Sequence, residues 1–65
     1  MDEVKLFSKD VNCIVLPKDG KFCIGNIYHL VYNRTNDIVW YTCKDNDGNT
    51  ISFYENNWTK YFKQL

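Results

Sequence analysis

The side chains best equipped for chemistry are a single histidine, His29, and three cysteines, Cys13, Cys23 and Cys43. Imidazole and thiolate are the ligands a structural zinc takes, but such sites are built on closely paired cysteines. Here the cysteines stand ten and twenty positions apart, so no metal centre is expected and the thiols read as small buried hydrophobes. A cysteine nucleophile with a histidine base would need a third group to orient His29 and an electropositive pocket to hold a thiolate. The pattern supplies neither, and no enzyme activity is expected. Asp45, Asp47 and Asn49 repeat the odd-position spacing of a calcium loop. However, Gly48 stands fourth from Asp45 rather than sixth, and residue 56 is Asn where the closing bidentate Glu is required. This stretch reads as a hairpin turn, and no cofactor is expected.

The elements that carry these residues must fit in 65 residues. That is one domain, 1–65, with little room for a cleft, since a chain this short buries only about 60% of the surface its unfolded form exposes. Two Trp, five Tyr and four Phe offset the small size, because each buries roughly 150–250 Å². Lys and Arg balance Asp and Glu at zero net charge. Binding to nucleic acid draws mainly on neutralised phosphates, so it is the minority reading, with Arg34, Lys44, Lys60 and Lys63 as its cations. The acidic start at Asp2 and Glu3 precedes no long apolar run, which predicts no membrane segment and a cytoplasmic protein.

Along the chain, residues 11–16 form an apolar run and predict the first main strand, with residues 4–7 an extra edge strand or ordered arm. Pro17 closes that run. Gly25 predicts a bulge or turn before a strand over 26–32. Residues 33–37 read as a loop, 38–44 as a strand, Asp47-Gly48 as a tight turn, and 50–54 as a strand. A single helical turn over 55–59 and a last strand over 61–65 complete an all-β reading: a small barrel of about five antiparallel strands.

Asn12-Cys13-Ile14, Ile24-Gly25-Asn26-Ile27-Tyr28, the Asp45–Gly48 turn, and Trp58 with Tyr61-Phe62 resemble small SH3-like β-barrel proteins of bacteriophage genomes, over most of residues 11–62. Asn26 stands where those proteins carry a lysine. The resemblance implies an SH3-like barrel and a viral origin.

Period-two alternation assigns Tyr28, Leu30, Trp40, Ile51 and Phe53 to the core, which leaves Ile27, His29, Val31, Val39 and Tyr41 facing out. Tyr54 joins them, and Tyr32 also tolerates exposure through its polar tip. A second apolar stripe on a barrel with one core marks an interaction surface or a face covered by the terminal segment. The expected function is protein binding on a host or viral partner through Ile27, His29, Val31, Val39, Tyr41 and Tyr54. The alternatives are nucleic-acid binding and self-association as a homodimer.

Overall fold

The computed structural model describes residues 8–65. The expected edge strand or arm at 4–7 lies outside the described residues. Five antiparallel strands form one sheet, with a short helix before the last strand: β1 (Ser8–Cys13), β2 (Ile27–Thr35), β3 (Ile38–Lys44), β4 (Thr50–Tyr54), α1 (Glu55–Tyr61) and β5 (Phe62–Gln64). The order across the sheet is β4-β3-β2-β1-β5. The last strand returns to pair with the first, as expected of a small antiparallel barrel-like chain.

β3 and β4 take the bounds that their β-branched and aromatic content predicts. The other elements differ: β5 covers 62–64 rather than 61–65, β1 begins at Ser8 rather than residue 11, and three differences have a visible cause. β1 ends at Cys13 rather than residue 16 because the chain turns away: Gly25 N–H donates to the Cys13 carbonyl, and the N–H groups of Ile14 and Val15 both turn to the Tyr61 carbonyl. β2 runs on to Thr35, so the predicted loop at 33–37 shrinks to Asn36-Asp37. Asn36 has φ 55°, the left-handed conformation that a two-residue hairpin turn demands and that asparagine tolerates. The helical turn extends to Tyr61, with Glu55 and Lys60 placed to match the positive and negative ends of its dipole.

That short hairpin decides which side chains face inward. Tyr32 pairs with Tyr41 and Asn33 with Trp40, so even-numbered residues of β2 share a face with odd-numbered residues of β3. On β4, Tyr41 pairs with Phe53 and Cys43 with Ile51. Tyr28, Leu30, Tyr41, Cys43 and Phe53 therefore form the core together with Val11, Cys13, Phe22, Trp58 and Phe62, with Tyr32, Val39, Ile51 and Tyr61 packed against them. Two expectations are corrected here. Trp40, expected at the centre, is half-buried on the opposite face, while Tyr41, expected outside, is 2% exposed.

The core is mostly aromatic edges against faces. Phe62 meets Phe22, Phe53 and Tyr28 at centroid distances of 5.5, 5.4 and 6.0 Å. Tyr41 meets Tyr32 at 5.5 Å and Trp58 at 5.4 Å, and the Lys9 ammonium lies over the Tyr41 and Trp58 rings at 5.0 and 4.6 Å. Burial, followed by the nearby Glu55 carboxylate, pushes the Tyr41 phenol up to about 12.

Candidate functional site

The outer face of β2, β3 and β4 is arranged in rows across the strands. One row is Asn33–Trp40–Tyr54 and the next Val31–Thr42–Ser52. Directly opposed side chains in such a sheet stand about 4.5–5.5 Å apart at Cβ, so the members of each row pack side by side. Asn33 fixes the floor. It is fully buried, and its side-chain amide donates to the Val31 carbonyl at 3.0 Å and to Thr42 Oγ1 at 3.2 Å. Its Oδ1 has no hydrogen-bond partner among the described residues.

Two grooves cross this face. One, of about 330 Å³, is lined by Ile38, Trp40, Ser52, Phe53 and Tyr54. The other, of about 410 Å³, is lined by His29, Val31, Thr42, Cys43, Lys44 and Thr50. Ile38 is 56% and Tyr54 64% exposed, so the first groove has an open apolar rim. Beside the second, His29 Nδ1 stands 2.7 Å from Asp10 Oδ1. Both side chains are solvated, and a pair so exposed contributes little to stability.

Of the six residues expected to form a binding patch, Ile27, His29, Val31 and Tyr54 lie on this outer face. Val39 and Tyr41 do not: they share the inner face with Cys43, for the register reason given above. Ile38 and Trp40 take their place. The signal that would have found them is Asn36-Asp37, since a two-residue turn links residues of opposite parity across β2 and β3.

A second apolar group lies in the β1–β2 connection, where Ile14, Val15, Leu16 and Ile24 are exposed. This long loop is held at its middle. Lys21 N–H donates to Asp45 Oδ2 at 3.0 Å, Cys23 N–H donates to the Tyr28 hydroxyl at 2.8 Å, and that hydroxyl donates to Asn46 Oδ1 at 2.9 Å. Asn46 N–H returns to the Lys21 carbonyl at 2.8 Å. Asp45 Oδ1 also caps the turn, accepting from the N–H groups of Asp47 and Asn49, both at 2.9 Å. The predicted hairpin turn is thus also the anchor of the opposite loop. Among the described residues no three His, Cys, Asp or Glu side chains converge as a metal site would require. Cys13 and Cys43 are buried as small hydrophobes, whereas Cys23 is exposed.

Burial works to raise the Asp45 pKa, but the N–H groups of Lys21, Asn49 and Asp47 outweigh it and hold the carboxyl below its ordinary value of 3.8. A carboxylate depressed in the folded state contributes stability that is complete above its unfolded pKa and is lost as pH falls through the folded one. The melting temperature should therefore begin to fall below about pH 4, the unfolded carboxylate range. Asp45→Asn should melt lower at pH 7 and show a shallower acid limb; an unchanged midpoint at pH 7 would count against this anchoring.

No family model, curated protein or solved structure matches the chain. No helix among the described residues is long and apolar enough to cross a membrane.

Proposed function

We propose that this chain is a small protein-binding module that docks through the outer face of β2–β4. The observation that carries the reading is the outward row Asn33–Trp40–Tyr54 with Ile38 at its rim. A half-buried tryptophan on a hydrogen-bonded floor is the kind of rigid aromatic anchor that dominates protein interfaces. The likeness to small SH3-like bacteriophage proteins makes a host or viral protein the partner class. Inhibition or redirection of that partner, in the host cytoplasm, is then the consequence.

Nucleic-acid binding is the second reading, favoured by Lys44 in a groove on the same face as the Trp40 and Tyr54 rings, where an unpaired base could stack. Zero net charge supplies little counterion release to drive it.

Trp40→Ala separates these roles from folding. It should cost the fold about 1 kcal/mol, the ordinary scale for a partly buried substitution. It should weaken partner capture by roughly 30-fold, equivalent to about 2 kcal/mol. Partner retained at full strength by folded Trp40→Ala would refute the docking face. Salt-sensitive binding of a single-stranded oligonucleotide, lost in Lys44→Glu, would install the second reading instead.

A further inference from the structure

The two edges of the sheet are unlike. β5, at one end, has three residues and carries Lys63, which are ordinary devices for keeping a sheet edge from pairing with another chain. β4, at the other end, is Thr50-Ile51-Ser52-Phe53-Tyr54, with no charge and no proline. Among the described residues no strand pairs with its outer edge, which the loop at 17–19 flanks across a groove shared with Ile51, Ser52 and Phe53. Asp45 N–H donates to the Asn49 carbonyl at 2.9 Å, and hydrogen-bonded pairs alternate with non-bonded pairs along an antiparallel ladder. Cys43↔Ile51 and Tyr41↔Phe53 are then the bonded pairs; Thr50 and Ser52 turn both backbone groups away from β3, and Tyr54 turns its N–H, its carbonyl being the first acceptor of α1. All three residues are exposed, and among the described residues no backbone bond outside the ladder and helix reaches them.

We propose that β4 pairs antiparallel with β4 of a second copy of this chain, about a two-fold axis at Ser52. The strand is self-complementary in that register. Ser52 meets Ser52 as a bonded pair, Ile51 of one copy faces Phe53 of the other on the inner side, and Thr50 faces Tyr54 on the outer side, a favourable β-branched–aromatic pair. The paired span Thr50–Tyr54 contains no charged residue, so no like charges are opposed within it. The chain's zero net charge adds no long-range repulsion between copies. The result is a ten-stranded sheet whose two outer faces are continuous. An isologous contact of this kind closes at two copies. Because a single strand pair buries less than the ~1,200 Å² of a stable interface, the dimer is weak and concentration-dependent. The inference does not rest on the docking reading.

Sedimentation equilibrium across a wide concentration range tests it. The average mass should climb from 7.8 kDa towards twice that value, and exchange of the Ser52 and Tyr54 amide hydrogens should slow as it does. Ser52→Pro removes a donor aimed at the open edge and takes nothing from the β3 ladder; Ser52→Lys sets two lysines face to face. Each should keep its fold by melting curve and remain a single chain at every concentration, while Trp40→Ala still dimerises. A wild-type mass fixed at one chain, or a folded Ser52 variant that dimerises as well as wild type, overturns the proposal.

Discussion

Phe62→Ala should leave the chain largely unfolded at room temperature. The ring is 2% exposed, touches three other aromatic rings, and belongs to the residue that both ends α1 and pairs β5 with Cys13 of β1. Large-to-small changes at such positions cost roughly 3–5 kcal/mol. A chain of this length holds only roughly 3–10 kcal/mol in all, so the loss consumes most of the margin. Urea titration followed by near-ultraviolet circular dichroism reads it directly. A cooperative transition within a few degrees of wild type on heating would mean that the aromatic cluster does not hold the fold. Phe62→Leu, which keeps most of the volume, should fold with reduced stability.

Gly20→Ala should be the most damaging change at a surface glycine. Its φ is +81°, and an added Cβ would lie 2.7 Å from the Phe22 ring and 2.8 Å from an Ile51 methylene. The left-handed backbone costs a side chain roughly 1–2 kcal/mol, and forcing atoms into a packed site adds roughly 1–3 kcal/mol. Gly25 supplies the control: its φ is +92°, with nothing within 4 Å of the added atom. Gly25→Ala should therefore lose only the backbone part. Paired melting curves measure the difference, and equal shifts for the two variants would show that the loop does not press on Phe22 and Ile51.

Much of this architecture was legible in the residues. The β-rich stretch at 38–44, the Asp47-Gly48 turn and the strand at 50–54 were read with the bounds they have, because propensity and turn chemistry agree there. What misled was parity. Alternation after a loop read as 33–37 places Trp40 inside with Tyr28 and Leu30 and leaves Tyr41 outside; the register across the two-residue turn Asn36-Asp37 shows the reverse. A loop of five residues and a turn of two have nearly the same composition here, but they send the next strand's side chains to opposite faces. Ile14–Leu16 misled in a related way. Apolarity predicts burial, but these residues have left the sheet and stand exposed. On the outer face, Ile27, His29, Val31 and Tyr54 were found because a two-faced apolar pattern is visible in sequence, whereas Ile38 and Trp40 needed the register.

The return of β5 to β1 governs the order in which the molecule can assemble. The hairpins β2–β3 and β3–β4 join near neighbours, and contacts of that kind form in microseconds. Val11 pairs with Gln64, a closure spanning almost the whole chain, whose entropy must be met before the contact returns anything. The three-stranded meander is then the early part, and the seam between β1 and β5 is the late step that completes the core. The seam's three residue pairs are extended by the bonds of Ile14 and Val15 to the Tyr61 carbonyl and of Leu65 to the Asp10 carbonyl, and because Phe62 carries the seam into the aromatic core, its opening should coincide with loss of the whole fold.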